Sequence, residues 1–210
     1  VWETIVGERD LNFNHVAPGD GYDCVAEYIA ECKRYGIALL PPDVNESDAD
    51  FTVAGENLRF GLVAIKGIGH GAIRELMAER KRSGPFSSFA DFCRRMYGKE
   101  LNRRIVESLI QSGAFDSMGA KRKQLMQIAE TVLEGVAADS RGKLDGQVDL
   151  FSMEEDRGAE TLSDFPLPDV PEYTRQELMA MEKATTGLYL SGHPMDEYRD
   201  AVRKVGAVPI

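Results

Sequence analysis

Two glycines enclose a single apolar residue at Gly67-Ile68-Gly69, directly after Lys66. Glycine adopts positive φ readily and allows another backbone to approach closely. Apolar residues before this stretch and at helical spacing after it predict two helices joined by a tight turn. The amides that begin the second helix would attract an anion such as phosphate. Two interpretations remain open: a helix-hairpin-helix that grips the DNA backbone without reading its sequence, and a plain turn between helices.

The distribution of charge favours the first interpretation. The 210-residue chain has a formal net charge of −10. Residues 66–123, however, carry thirteen basic and six acidic side chains, which is a net charge of +7. Contact with phosphates depends on the charge of the docking surface more than on the total. The alternative is a basic face that contacts only solvent.

A second unit of the same shape follows the first. Apolar spacing predicts a helix from Leu101 to Leu109 and a longer helix from Leu125 to Val136, joined by the stretch SGAFDSMG. Three basic residues lie where the first unit has its anion-facing turn: Lys121, Arg122 and Lys123. This unit is interpreted as a second, degenerate hairpin, and paired hairpins of this kind would straddle a duplex.

An acidic loop at residues 44–50 offers a competing chemistry. Asp48 and Asp50 have the DxD spacing that can hold metal ions for phosphoryl transfer. The loop also resembles a calcium-binding loop, but Asp48 stands where that loop needs Gly and Ala54 where it needs Glu. Asp, Asn and Ser also favour turns before a strand. We therefore interpret the loop as a turn and keep a metal-dependent phosphoryl transferase as an alternative function.

The remaining patterns predict short elements around the hairpins. Residues 51–53 and 58–60 predict a small β-hairpin. Ser87 or Ser88 is expected to cap a short helix. Residues 172–186 predict a helix with Leu178 and Met181 pointing inward. Neither the three cysteines nor the three widely separated histidines suggest a metal site, so we predict no metal and no cofactor.

Residues 139–171 change character, with three basic and nine acidic side chains and prolines at 166, 168 and 171. This composition is typical of a linker. It contains the stretch QVDLF at 147–151, in which a Leu-Phe pair has little core to join. The pair is interpreted either as a short motif that docks in a partner's pocket or as local packing against the domain.

Five separated stretches together resemble the alpha subunits of bacterial DNA polymerase III, the C family of replicative polymerases. They are GIALLPPDVNESDADFTV, LRFGLVAIKGIGHGAI, GPFSSFADFC, LNRRIVESLIQSGAFDSMG and EKATTGLYLSGHPMDEY. Their order and spacing agree with that family from about residue 24 onward. Residues 1–23 depart from the expected pattern and are assigned no role.

The resemblance implies two binding sites. The family's hairpin that holds the duplex backbone corresponds here to Lys66, Gly67, Ile68, Gly69, His70 and Gly71. Its internal motif for the beta sliding clamp corresponds to Gln147, Asp149, Leu150 and Phe151. The family's catalytic aspartates lie in a segment absent from this sequence, so we expect no polymerase activity from this chain alone.

We therefore predict a mainly α fold with a tandem helix-hairpin-helix domain, a small β-hairpin and a long acidic linker. The predicted segments are a fingers end (1–61), the hairpin domain (62–138), the linker (139–171) and a helical segment that leads toward an OB domain (172–210). The expected function is to bind duplex DNA and the sliding clamp in cytoplasmic replication, alongside other replicase subunits and without membrane contact. A domain that binds only protein remains an alternative.

Overall fold

The computed structural model describes residues 31–32, 34–144, 165–192, 194 and 198. Its strands are β1 (Leu39–Leu40), β2 (Thr52–Ala54) and β3 (Asn57–Arg59). Its longer helices are α1 (His70–Ser83), α2 (Phe89–Met96), α3 (Arg103–Gln111), α4 (Arg122–Leu144) and α5 (Arg175–Thr186). Short 3-10 helices occupy Leu62–Ala64 and Asp116–Met118. The predicted fold class, mainly α with a small β-hairpin, is confirmed.

The three strands form one small sheet in which β3 is central. β2 pairs antiparallel with β3, and Val53 lies opposite Leu58. β1 pairs parallel with β3, and Leu39 also lies opposite Leu58. Gly55, with a φ of 62°, turns the chain between β2 and β3. The predicted β-hairpin is therefore present, and β1 extends it into a sheet.

Local side chains cap the helices where the sequence allows it. The Ser88 hydroxyl accepts a hydrogen bond from the Asp91 amide at 3.1 Å and begins α2, as predicted. Asn102 caps α3 in the same way. Thr174 and Glu177 form a reciprocal capping box at the start of α5. These caps satisfy amides that have no acceptor within their own helix.

Four phenylalanines lie at the centre of the core. Phe92 stacks edge-to-face against Phe86 and Phe115, and Phe89 does so against Phe115, with ring centroids 5.0 to 5.2 Å apart. These rings join α2 to the connection between α3 and α4. Buried aliphatic side chains of α1, α3 and α4 pack around the rings in a single cluster. Both hairpins therefore rest on one core, which fixes the position of their turns.

One sequence expectation about helices was wrong and a second was incomplete. The apolar run before Gly67 forms only the 3-10 turn Leu62–Ala64, because the amides of Leu62 and Val63 donate to carbonyls of the loop at residues 48 and 49. In α5, Leu178 and Met181 are half-buried, whereas Met179 and Glu182 are buried. The buried face also includes Glu182 because its carboxylate pairs with Arg122 in α4, which hydrophobic spacing cannot reveal.

α4 reaches Leu144 and so continues into the stretch whose composition predicts a linker. The division of the chain into four segments otherwise stays a prediction. No helix in the described parts of the chain is both long enough and apolar enough to cross a membrane.

Candidate nucleic-acid interface

The turn Gly67–Gly69, here called the GIG turn, is anchored from two sides. Ile68 is half-buried and packs against the core. The Lys66 amide donates a 2.8 Å hydrogen bond to the carbonyl of Thr185, at the end of α5. Gly67 has a φ of 87°, a conformation that favours glycine. Because Ile68 points into the protein, Lys66 and both glycines are left exposed.

α1 begins at this turn without a side-chain cap. Gly69 is the N-cap residue in an extended conformation, with a φ of −78° and a ψ of 150°. The amides of His70, Gly71 and Ala72 lie in the first turn, where a helix supplies no acceptor. A Cβ placed on Gly69 would have no other heavy atom within 4 Å. Open space and the positive end of the helix dipole therefore meet at a point where an anion can bind.

Two arginines that the sequence analysis missed lie beside the GIG turn. Arg104, in the first turn of α3, places its Nε 3.6 Å from the position that a Cβ on Gly67 would take. Arg74 follows His70 by one turn on the same face of α1. Both arginines are exposed, and neither forms an ion pair within the described part of the chain. Only tertiary packing brings Arg104 here, so no local sequence signal indicated it.

Glu100 introduces an opposing charge at the same place. A Cβ on Gly71 would overlap with the Glu100 carboxylate, so the absent side chain of Gly71 makes room for it. Glu100 has a φ of 57°, which is unusual for a residue other than glycine. Its carboxylate therefore lies against the first turn of α1, close to the point that would attract a phosphate.

The corresponding turn of the second hairpin already holds an anion from the chain itself. The two carboxylate oxygens of Glu172 accept hydrogen bonds from the amides of Arg122 at 2.8 Å and Lys123 at 3.1 Å. Burial raises the pKa of Glu172, but hydrogen bonds from the amides of Tyr173, Lys123 and Arg122 outweigh burial and lower it overall. Lys121 is exposed and Lys123 half-buried, and both contact residues 170–173.

Arg122 is turned into the protein and is only 6% exposed. Its guanidinium pairs with Asp116 at 2.6 Å and with Glu182 at 3.1 Å. It also donates to the carbonyl of Gln111 at 3.2 Å. A buried guanidinium with these partners cannot reach a phosphate on the surface. Its placement therefore argues against the predicted contact between Arg122 and DNA.

Other cations of residues 66–123 also pair with a carboxylate inside the domain. Glu79 is buried and accepts hydrogen bonds from Lys99, Arg95 and Arg82. Hydrogen bonding from Lys99, joined by Arg95, lowers the pKa of Glu79 to about 2 although burial opposes the shift. The net charge of residues 66–123 therefore overstates how many cations face an incoming nucleic acid.

The acidic loop at residues 44–50 is a hydrogen-bonded turn. The Asp43 carboxylate accepts the amides of Asn45 at 2.7 Å and Glu46 at 3.1 Å. Asp48 pairs with Arg80 at 3.1 Å. Nowhere in the described residues do three or more potential metal-binding side chains cluster. Turn formation accounts for the Asp-rich composition, as the sequence analysis favoured.

Comparison with known proteins gives this geometry a context. Residues 36–125 match the helix-hairpin-helix motif family. The chain is 42% identical to DNA polymerase III subunit alpha of Deinococcus radiodurans over 179 residues, which is 84% of this chain and 13% of that protein. Over this segment, the chain is a homologue of the DNA polymerase III alpha subunit.

Other relatives of the same name agree. DNA polymerase III subunit alpha of Saccharopolyspora erythraea is 40% identical over 184 residues, which is 85% of this chain and 15% of the relative. That of Thermus aquaticus is 38% identical over 188 residues, which is 90% of this chain and 15% of the relative. The chain thus spans 13% to 15% of the length of these three relatives.

In this DNA polymerase III alpha homologue, the motif match includes both hairpin turns. The resemblance that the five stretches indicated is confirmed. The predicted DNA contacts at residues 66–71 and 121–123 stay predictions, and the burial of Arg122 argues against a contact by its side chain. The predicted clamp-binding residues Gln147, Asp149, Leu150 and Phe151 lie outside the described residues.

Proposed function

We propose that the chain binds the backbone of duplex DNA through the GIG turn, without sequence preference, as part of a replicative DNA polymerase. The start of α1 carries this proposal, since amides without a helical acceptor face open space beside Gly69. Amides and exposed arginines recognise phosphates, which every DNA sequence shares. The contact therefore positions the duplex and reads no base.

The relatives suggest where this contact would act. They are named as alpha subunits of DNA polymerase III, and the helix-hairpin-helix match supports DNA binding. In the whole polymerase, the GIG turn would hold newly made duplex behind the active site. The contribution of this segment is then processivity, while the chemistry belongs to catalytic carboxylates elsewhere in the polymerase.

The test measures affinity for a short duplex by fluorescence anisotropy at several salt concentrations. Lys66→Gln and Arg104→Gln should each weaken binding and reduce the slope of log affinity against log salt by about 0.9, the value for one lost phosphate contact. The matched control is Lys81→Gln, which removes the same charge from an exposed position in the last turn of α1. The control should bind like the unmodified chain.

Two results would refute this proposal. One is an affinity that does not change between low and high salt. The other is an effect of Lys81→Gln as large as that of Lys66→Gln, since binding would then depend on overall charge and not on the GIG turn.

We also propose that residues 147–151 dock on the beta sliding clamp. The support is the agreement of Gln147, Asp149, Leu150 and Phe151 with the motif of the family, within an acidic segment. Leu150 and Phe151 would fill an apolar pocket and Gln147 would supply hydrogen bonds. Clamp docking and the grip on DNA together would keep the polymerase on its template.

The clamp test replaces Leu150 and Phe151 together by Ala and measures binding to purified clamp by surface plasmon resonance. Binding should be abolished while DNA affinity is unchanged. Val148→Ala is the matched control, because this position is variable in the motif. Clamp binding that survives the double replacement would rule out the assignment.

A further inference from the structure

We infer that the second hairpin binds residues 165–173 of its own chain instead of DNA, with the Glu172 carboxylate in the place of a phosphate. These residues are called the strap. The inference goes beyond the proposed function, which concerns the GIG turn, and it assigns an intramolecular partner to the second turn. The DNA duplex is then held by one hairpin and not by two.

The strap reproduces the contacts expected of a backbone phosphate. Glu172 presents one oxygen to the Arg122 amide at 2.8 Å and the other to the Lys123 amide at 3.1 Å. These are the first two residues of α4, where the helix supplies no acceptor and the dipole favours an anion. The Tyr173 amide donates to the same carboxylate at 2.9 Å and fixes its orientation.

Contacts along the strap involve the side chains that a DNA strand would need. The Lys121 ammonium donates to the carbonyl of Val170 at 3.0 Å. The Lys123 ammonium lies 5.4 Å from the centre of the Tyr173 ring, within the range of a cation–π interaction. With Arg122 buried against Asp116 and Glu182, all three basic residues of this turn have partners within the chain.

The strap continues along α4 away from this turn. The Gln124 side-chain amide donates to the carbonyl of Pro168 at 2.8 Å. Phe165 packs so closely on α4 that a Cβ on Gly135 would lie 2.7 Å from its ring. Contacts at Gly135, Gln124 and the first residues of α4 therefore hold the strap along about three and a half turns of the helix. A duplex could reach the amides of Arg122 and Lys123 only by displacing it.

The two hairpins differ in this respect. At the GIG turn, Gly69 faces open space and Arg74 and Arg104 are exposed. At the second turn, the amides are hydrogen-bonded and the cations are paired. A turn at the start of a long helix thus serves two purposes, an outward site for phosphate at α1 and an inward site for a carboxylate of the chain itself at α4.

The test uses the 210-residue chain labelled with nitrogen-15 and follows its amide signals by NMR. In the first titration, duplex DNA is added. The signals of residues 67–71 should move while those of Arg122 and Lys123 stay in place. Movement of the Arg122 and Lys123 signals together with those of the GIG turn would overturn the inference.

The second titration lowers the pH in the absence of DNA, so it is informative even if the chain does not bind DNA. The amide signals of Arg122 and Lys123 should shift as a single carboxyl group becomes protonated, and the pKa of this group should lie below the ordinary value of Glu. Glu172→Gln should abolish this change. Asp169→Asn, the same replacement at an exposed position of the strap, should retain it.

If the signals of Arg122 and Lys123 do not respond to pH, or respond equally in Glu172→Gln, the strap contact is refuted. Failure of the proposed function looks different, since no amide signal would then move with DNA while the pH response persisted. The two proposals can therefore fail independently.

Discussion

Gly67 and Gly69 serve one turn for different physical reasons. Gly67 has a φ of 87°, and a Cβ there would lie 3.0 Å from the Ser108 hydroxyl. Gly69 has an ordinary φ of −78° and open space around it. The protein itself therefore needs glycine at position 67, whereas at position 69 the open space is useful only to an approaching ligand.

This difference predicts opposite outcomes for two alanine replacements. Gly67→Ala should destabilise the fold by about 1–2 kcal/mol, the cost of a left-handed conformation. Gly69→Ala should cost about 1 kcal/mol or less, because Ala is only a poorer N-cap, yet it should weaken DNA binding by obstructing the phosphate. Urea denaturation and DNA anisotropy, measured on both variants, separate the two effects.

The informative result is the behaviour of Gly69→Ala. Unchanged DNA affinity in a folded Gly69→Ala variant would show that no backbone approaches this position.

Glu100 leads to a prediction of the opposite sign. Its carboxylate lies beside the first turn of α1 and repels an incoming phosphate. Glu100→Gln should therefore tighten DNA binding by about two- to five-fold, which corresponds to one charge near a helix terminus at about 0.3–1 kcal/mol. Glu56→Gln, an exposed change in the turn between β2 and β3, is the control for net charge.

An equal gain in both variants would assign the effect to overall charge and not to the position of Glu100. A loss of affinity in Glu100→Gln would show that the carboxylate supports the turn more than it repels DNA. Anisotropy at low salt is the suitable measurement, because screening at high salt reduces both effects.

At the level of helices and strands, local signals in the sequence were sufficient to predict much of the fold. The Ser88 cap and the hairpin at Gly55 each depend on residues within a few positions of one another. The helical spacing of α1, α3 and α4 likewise reflects which face of each helix joins the core. Such features can be read from sequence because their physical causes are local.

The parts that could not be predicted depend on partners distant in the chain. Glu172 caps a helix that begins fifty residues before it. Glu182 is buried because Arg122, sixty residues away, pairs with it. Neither contact leaves a periodic pattern in the sequence, so Arg122 was assigned to DNA and Glu182 was not expected in the buried face of α5.

The pair formed by Arg122 and Glu182 joins α4 to α5 and should be sensitive to mutation. Glu182 is 1% exposed and also accepts the amides of Leu190 and Ser191, at 3.0 and 2.9 Å. Glu182→Ala should destabilise the fold by about 1–3 kcal/mol, because the amides of Leu190 and Ser191 lose their acceptor and the buried Arg122 guanidinium keeps only Asp116 as an ionic partner. Urea denaturation measures this loss.

The matched comparison is the double variant Arg122→Met with Glu182→Met, which removes both charges and retains side-chain volume. It should be more stable than Glu182→Ala, since replacing a buried ion pair costs less than breaking it. A double variant as unstable as the single one would show that the amide contacts of Glu182 matter more than its pairing with Arg122.

Across the whole molecule, charge is arranged to keep a few cations available in an acidic protein. Several arginines and lysines between residues 66 and 123, among them Arg95, Lys99 and Arg122, pair with carboxylates of the domain, and the exposed Arg74 and Arg104 flank the GIG turn. An overall charge of −10 repels DNA at long range. Binding of DNA should therefore be weak and strongly reduced by salt.

The same arrangement predicts how the stability of the fold depends on pH. The pKa of Glu79 is lowered from 4.5 to about 2, first by Lys99 and then by Arg95, and that of Glu172 is also lowered. A carboxylate whose pKa is lower in the folded state stabilises the fold above the unfolded pKa. This contribution is lost as the pH falls, so the free energy of unfolding should drop between pH 4.5 and about 2.

The variant Glu79→Gln tests how much of the loss of stability in acid comes from the Glu79 carboxylate. The variant should be less stable at pH 7, because Arg95 and Lys99 lose a charged partner, and its stability should fall less between pH 4.5 and 2. Circular dichroism during urea denaturation at several pH values measures both quantities. The three cations around Glu79 lie in α1, α2 and the turn after α2, so this carboxylate links three segments of the domain. If the free energy of unfolding falls equally steeply in Glu79→Gln, the acid sensitivity arises from other carboxylates, Glu172 first among them.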